Sequence, residues 1–498
     1  MERKWRVLTV VCIAVFMLLL DITVVNVALP DIQRELHTSF TQLQWVVDAY
    51  ALTLATTILN AGSLGDLLGR KRVFLIAITL FTLASALCGA ASSPLFLILA
   101  RGLQGIGGAG MFAVSLAIIA QEFHGRERGT AFGIWGATVG LAVAIGPLVG
   151  GALTTYAGWR WIFFVNVPIG IAVVAGGLRE LHESRNEEAG GFDLPGFVTL
   201  TSGLFALVIG LFEGNQWGWS SGRIVGLFAA AAVLLVAFAV IELRQRSPMF
   251  DFRLFRVPTF TGAQTTAFSI SAGMFSMFLY LTLYLQNVIH NSAVRTGVIF
   301  LPLTLVSFFV APVAGRLSAR FPVRIFLGLG LAVVGGSLLL MHGVTLHSTA
   351  SHLIPGFIVG GIGIGLVNAP LAATAVSVVA PQRAGMASGI NNTFRQVGIA
   401  TGIAALGAIF QSQITSSLVH AVTNGKPGVV IAVFAPRGFA QAVAAGQVHS
   451  PIARAAFIHG LNSILLVAAF VLFAGAVLAF LLVREKDFVA SGLAPAGH

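Results

Sequence analysis

Charge is what this sequence has least of. Asp, Glu, Lys and Arg make up 9% of its 498 residues, where a soluble domain carries about 25%. With 57% of residues hydrophobic, the chain cannot cover a water-facing surface with polar groups, so lipid is the solvent for most of it. Cysteine is nearly absent. Cys12 and Cys88 both lie in apolar runs, which excludes a disulfide scaffold and suits small helix-packing residues. Lysine is scarce: Lys4, Lys71, Lys426 and Lys486 are the only four. None stands in a Gly-x-x-x-x-Gly-Lys-Ser/Thr phosphate loop, and Gly425-Lys426, the nearest approach, is followed by Pro427. That argues against ATP hydrolysis and leaves an ion gradient as the energy source. No polar stretch is long enough for a soluble output domain, which argues against a sensor, and no polar catalytic cluster falls inside the apolar runs, which argues against an enzyme.

What the chain does have is apolar runs of membrane-spanning length. A bilayer core of about 30 Å needs about 20 apolar residues in a helix. Fourteen spans are predicted, at 7–29, 42–63, 73–92, 95–120, 130–153, 161–178, 194–213, 222–241, 259–287, 296–315, 325–345, 353–379, 385–411 and 457–483. The basic N-terminus (Arg3, Lys4, Arg6) precedes an apolar run too long for a cleaved signal and is taken as a retained first helix. With the N-terminus inside, internal segments hold 20 of the 29 Lys and Arg, and external segments hold 7, counting Arg223 at the outer end of span eight. Arg101 and Arg395 lie within spans. This bias, rather than nucleic acid, accounts for the net charge of +11, and it places both termini in the cytoplasm. Trp161, Trp217 and Trp219 fall at external boundaries, as interfacial anchors do.

A faint repeat runs through the chain. Gly62-Ser63-Leu64 matches Gly315-Arg316-Leu317, and Arg128-Gly129-Thr130-Ala131-Phe132-Gly133-Ile134 matches Ala384-Gly385-Met386-Ala387-Ser388-Gly389-Ile390. Gly-rich stretches at 105–110 and 360–365 sit near the same offset. The pattern implies two related six-helix bundles, 1–180 and 257–498, with a linker and inserted helix pair at 181–256. Residues 412–456 form the longest external segment, either a hairpin over the outer vestibule or a loose loop.

After span two stands Gly62-Ser63-Leu64-Gly65-Asp66-Leu67-Leu68-Gly69-Arg70-Lys71-Arg72. Glycines allow a tight turn, and an acid followed by three cations at a helix edge suits a latch that holds one conformation shut. The stretch closely resembles the signature loop of the major facilitator superfamily. That resemblance covers nearly the whole chain and is strongest over residues 20–170. It implies an all-α integral membrane protein of fourteen transmembrane helices, and an inner gate at Gly62, Asp66, Gly69 and Arg70. Span five, with Gly146-Pro147-Leu148-Val149-Gly150-Gly151, resembles the motif of the superfamily's antiporters, although Ala142 stands where the family pattern usually has glycine.

Ionisable residues inside spans carry the functional expectation. A lone arginine in a span costs about 2.5–3.5 kcal/mol and normally faces a polar cavity or a partner. Arg101-Gly102-Leu103-Gln104-Gly105 resembles the arginine motif of proton-coupled members. Asp21 in span one and Asp48 in span two sit in stretches resembling the fourteen-span drug:proton antiporter branch, which includes exporters of quaternary ammonium compounds. A carboxylate in a low-dielectric cavity alternates between protonated and charged forms and pairs with cations. Asp21, Asp48 and Arg101 are therefore the expected proton-coupling and substrate residues.

No acid falls inside spans nine to fourteen, and Asn391, Asn392 and Arg395 form a polar stretch whose role, structural or functional, stays open. Glu213 closes span seven and is expected to be solvated. His342, His347 and His352 are spaced by five and do not share a helical face, so no metal site is expected.

The expected activity is export of small lipophilic, cationic compounds, drugs or antibiotics, in exchange for protons by alternating access. The expected location is the cell membrane, with a small molecule, protons and lipid as partners. No nucleic acid, no cofactor and a monomeric chain complete the expectation. The alternative is a dedicated exporter of one metabolite, siderophore or lipid; the remote one is a membrane enzyme or sensor.

Overall fold

Inside a bilayer the backbone N–H and C=O groups find no water, so each apolar run closes its hydrogen bonds as a helix. The computed structural model describes residues 2–38, 40–185, 193–245, 248, 250–423 and 451–488, and among them there are helices and no strands. Helices α1 (Arg3–Leu36), α2 (Phe40–Leu68), α3 (Arg70–Gly89), α4 (Pro94–Glu122), α5 (Gly125–Tyr156) and α6 (Trp161–Glu180) form the first half. Helices α7 (Leu194–Trp217) and α8 (Gly222–Arg244) follow. The second half is α9 (Pro258–Val288), α10 (Ala293–Leu317), α11 (Val323–Met341), α12 (Ile354–Ser377), α13 (Ala384–Thr423) and α14 (Pro451–Leu482). Thirteen segments of the described chain are long and apolar enough to cross a membrane. The remaining expected span, 130–153, falls in α5, which packs between α1 and α10.

Packing repeats between the halves. Helix α4 packs on α2 and α3, and α12 packs on α10 and α11. The Gly-rich stretches are the contact surfaces. A Cβ on Gly107 would lie 2.6 Å from the Phe81 nitrogen of α3, and one on Gly363 would lie 2.8 Å from the Gly330 carbonyl oxygen of α11. Without a hydrophobic driving force between helices in lipid, such backbone-to-backbone approach is what joins them. Helices α7 and α8 pack on each other, and α7 leans on α2 and α13. Helix α8 is largely bare, with Val233 and Leu243 among its exposed apolar residues, as a lipid-facing helix is.

Two features depart from the spans read off the sequence. Helix α13 continues to Thr423 and α14 begins at Pro451, so the long connection narrows to 424–450. That segment, with the apolar run Val429 to Phe434, lies outside the described residues. Helix α9 contains a π turn at Ser271–Phe275 where it meets Gly398 and Gly402 of α13. Ser276 Oγ lies 3.1 Å from the Ser271 carbonyl of the widened turn and 3.1 Å from the Ile399 carbonyl of α13, so its one proton is shared between the turn and the neighbouring helix.

Candidate functional site: a buried ion pair, a latch and a polar cleft

Five helices of the first half converge on Asp21. Arg101 of α4 donates through Nη1 to Asp21 Oδ2 at 2.5 Å and to Gln104 Oε1 at 2.7 Å. Gln104 Nε2 and Asn166 Nδ2 donate to Asp21 Oδ1 at 2.9 and 3.1 Å. Arg101 Nε donates to the Val46 carbonyl at 3.2 Å, and its guanidinium lies 4.2 Å from the Tyr50 ring centroid. Asn166 also donates to Ser85 Oγ at 3.0 Å. Asp21 is 2% exposed and Arg101 1%. The arginine does not snorkel to an interface; it is neutralised inside the bundle. A buried pair is tolerated when its remaining lone pairs and protons are hydrogen-bonded, and here Gln104, Asn166 and Val46 do that.

Asp48 does not join this cluster. Val46 and Tyr50 face Arg101, and the residue midway between them points the opposite way on a helix turning 100° per residue. Asp48 shares its stripe with Trp45 and Leu52, which pack against Val208, Ile209 and Phe212 of α7. It is half-buried, with no hydrogen bond or ion pair among the described residues. Of the three expected proton-coupling and substrate residues, Asp21 and Arg101 form a pair and Asp48 stands apart. Glu213 is not solvated as expected. Helix α7 runs one turn beyond the apolar run, to Trp217, and buries Glu213 to 4% exposure, with its Oε2 unpartnered. It lies close enough to Asp48 for their charges to interact.

The end of α2 is tied to the second half through Asp66. Asp66 Oδ1 accepts from Arg70 Nη2 at 2.8 Å and from the Gly385 N–H at 3.0 Å, while Oδ2 accepts from the Met386 N–H at 2.8 Å. The carboxylate therefore caps the N-terminus of α13, where free N–H groups and the helix dipole favour an anion. Gly69 has φ +110°, a conformation open to glycine, and its missing side chain makes room for Glu183. The Glu183 carboxylate accepts from the Lys71 and Arg72 N–H groups at 3.1 and 3.2 Å, capping α3. Glu183 carried no sequence signal, because it reaches α3 from beyond α6.

The repeat meets itself at two seams on this basic face. A Cβ on Gly62 of α2 would lie 3.2 Å from the Gly389 Cα of α13, and one on Gly315 of α10 would lie 3.4 Å from the Gly133 Cα of α5. Gly62 and Gly315 are repeat equivalents, as are Gly389 and Gly133. The same contact is thus made twice about a pseudo-two-fold axis, and it closes the basic face.

Farther along, α5 touches α1 through glycines. A Cβ on Gly150 would lie 3.0 Å from the Val24 carbonyl oxygen, and one on Gly146 would strike Thr23. A Cβ on Gly151 would lie 2.8 Å from the Val294 side chain of α10, and the side chain of Pro147 lies outside the described residues.

Between α5 and helices α9, α10 and α12 lies a cleft lined by Val139, Phe275, Phe278, Thr304, Ser307 and Asn368. Its free volume is about 20 Å³, room for a water molecule rather than a drug. Asn368 Oδ1 accepts from both terminal nitrogens of Arg395, at 3.3 and 3.4 Å. Asn391 Nδ2 donates to Gln264 Oε1 at 3.1 Å, and Asn392 Nδ2 reaches Ser388 Oγ at 3.5 Å. His342, His347 and His352 form no cluster that could hold a metal among the described residues.

The family model described as Major Facilitator Superfamily matches residues 11–403. The multidrug resistance protein Stp of Mycobacterium tuberculosis is 36% identical over 419 residues, 84% of this chain and 78% of the relative. The puromycin resistance protein pur8 of Streptomyces alboniger is 38% identical, covering 82% of each chain. The tetracenomycin C resistance and export protein of Streptomyces glaucescens is 36% identical over 83% of this chain. In fold, the human organic anion transporter MFSD10 superposes with a TM-score of 0.63 over 95% of this chain at 15% identity. The fourteen helices, the doubled seams and these matches carry one conclusion: the chain belongs to the major facilitator superfamily, a family of multi-span membrane transporters.

Proposed function

We propose that the protein exports small lipophilic compounds across the cell membrane in exchange for protons, with both termini in the cytoplasm. The observation that carries this is the Asp21–Arg101 ion pair, buried inside an apolar helical bundle. With it stands the half-buried Asp48, close enough to Glu213 for the two carboxyls to interact. Relatives named for multidrug, puromycin and tetracenomycin C resistance support export.

In the mechanism, residues 1–180 and 257–498 rock against each other about the cleft, and 181–256 supply the inserted pair. The closed basic face, latched by Asp66 on α13, is the outward-poised state. Protonation of Asp48 from outside discharges its repulsion with Glu213, and protonation of Asp21 releases Arg101. Either event loosens the packing of α1, α2 and α4 and favours reopening inward. One charge crossing 100 mV contributes about 2.3 kcal/mol, enough for a gradient of tens-fold. The proton gradient is the whole energy source, and the chain works as a monomer. Cationic cargo, the class that the first-half acids suggest, would have to displace Arg101 from Asp21 or bind at Asp48. A second reading, a dedicated exporter of one native compound, draws on the relatives named for a single antibiotic.

The test uses inverted membrane vesicles holding an inside-acid gradient. A panel of lipophilic cations, neutral dyes and anionic dyes is added, and loss of the gradient is read. The parent chain should dissipate the gradient with at least one compound, and Asp48→Asn or Asp21→Asn should lower that loss about tenfold at equal amounts of folded protein. Undiminished loss in both variants contradicts the assignment of coupling residues. No loss with any compound contradicts proton exchange.

A further inference from the structure

Among its described residues, the second half contains a buried cation with no carboxylate paired to it. Arg395 is 7% exposed, and its polar contacts are to one uncharged amide oxygen, that of Asn368. No carboxylate pairs with it among the described residues, whereas Arg101 and Arg70 each have one. The acids on helices packed against α13 are elsewhere. Asp66 holds Arg70, Glu122 holds Arg3, and Asp48 and Glu213 lie at the contact of α2 with α7. An ionised arginine at membrane depth faces a partner or a polar path. The resident partner here is too weak, because two long hydrogen bonds to a neutral amide do not offset loss of hydration.

Asn368 connects this charge to the cleft. It lines the cleft, its oxygen is turned back onto Arg395, and its Nδ2 is buried without a partner. Ser307, on the same wall, has an unpartnered hydroxyl. Behind them, Gln264 Nε2 on α9 is a third unpartnered group with hydrogens to donate, while Asn391 and Asn392 retain free amide oxygens. Helix α5 closes the other wall: a Cβ on Gly136 would lie 3.6 Å from Asn368 Cβ, and one on Gly140 would lie 3.6 Å from Ser307 Oγ. Phe275 and Phe278 supply flat apolar surface. An aromatic slot with unmet donors and a positive charge behind them is the complement of a ring system bearing an oxyanion.

We infer that Arg395, acting with Asn368 and Ser307, forms a subsite that selects cargo carrying a carboxylate or phenolate on an aromatic framework. When α5 and α12 part, the oxyanion takes the free Asn368 amide and Ser307 hydroxyl and supplies the counter-charge that Arg395 lacks. The inference rests on the exporter reading for its direction of transport, but not for its binding selectivity.

The experiment compares anthraquinone-2-carboxylate with anthraquinone-2-carboxamide, which share a ring system and differ in charge. Binding of each to the purified full chain is titrated by quenching of tryptophan fluorescence. The parent chain should bind the carboxylate about tenfold more tightly than the carboxamide. Arg395→Gln should bring the two affinities within about twofold, while Arg395→Lys retains part of the preference. Asn368→Asp places a resident carboxylate against Arg395, spares the fold even where Arg395→Gln does not, and should also abolish the preference. Equal affinities in the parent, no binding of the carboxylate, or an undiminished preference in Arg395→Gln or Asn368→Asp overturns the inference. Failure of the exporter reading is distinguishable. There, the carboxylate preference holds while neither probe dissipates a pH gradient in vesicles.

Discussion

Asp21→Ala is expected to destabilise the folded chain by about 3–5 kcal/mol, and Arg101→Ala by a similar amount, because each leaves the other charge buried and alone. Arg101 is surrounded by Tyr50, Phe163 and the backbone of α2, and among the described residues Asp21 is the carboxylate that pairs with it. Asp21 would retain Gln104 and Asn166 as donors but lose its counter-ion. The double variant Asp21→Leu/Arg101→Met removes both charges and should recover most of the stability, since a buried pair and an apolar pair of similar volume are nearly equal in free energy. It should recover no transport. A double-mutant cycle on detergent-solubilised protein, unfolded reversibly, gives the coupling. Single-variant costs below about 1 kcal/mol would mean that the pair is not buried as described.

Gly129→Val is expected to abolish closure of the basic face. The added Cβ enters the Gly315 carbonyl, with the carbonyl carbon 2.9 Å away. Both contacts are backbone, so no side chain can swing aside, and α5 and α10 must separate. A cost of about 2.7 kcal/mol on the closed state lowers its population about 100-fold, and turnover falls with it. Gly62→Val acts on the equivalent seam between α2 and α13 and should give the same phenotype. Ala137, 1% exposed where α5 meets α10 and α12, reports the change. In an Ala137→Cys background, maleimide labelling should be slow and should accelerate at least tenfold on adding Gly129→Val. Parent-like transport by Gly129→Val would show that this contact is not part of the cycle.

The sequence exposed those parts of the site that violate local rules. Arg101 and Asp21 stood out because lone charges are rare inside apolar runs. Gln104 lies one turn from Arg101 and was within reach of a spacing argument. Asn166 and Ser85 are neutral and short, and nothing local marks them as ligands of a distant acid. The repeat paired Gly62 with Gly315 and Gly129 with Gly385 at nearly the same offset, but it did not say that these glycines meet across the two halves. It did not show that Asp66 caps α13, because that contact joins residues 319 positions apart.

Helical phase separates Asp48 from the ion pair. Two residues from Val46 on α2 is the opposite face, and composition alone does not say which face meets the ion pair. Glu213 was misplaced because an apolar run that ends at an acid looks like a membrane boundary. Helix α7 carries on and turns that acid toward α2.

Proton-driven exchange by this chain alone is tested most directly with purified protein in liposomes. A pH step is imposed, and uptake of ethidium and of anthraquinone-2-carboxylate is followed with and without a protonophore. Cargo should accumulate against its own gradient only while the pH difference lasts. For the carboxylate, a potassium diffusion potential should strengthen the effect. Exchange of one proton for one anion moves two charges and gains about 4.6 kcal/mol per 100 mV. Cargo that merely equilibrates, or that accumulates unchanged when the protonophore has removed the gradient, would contradict proton-driven exchange.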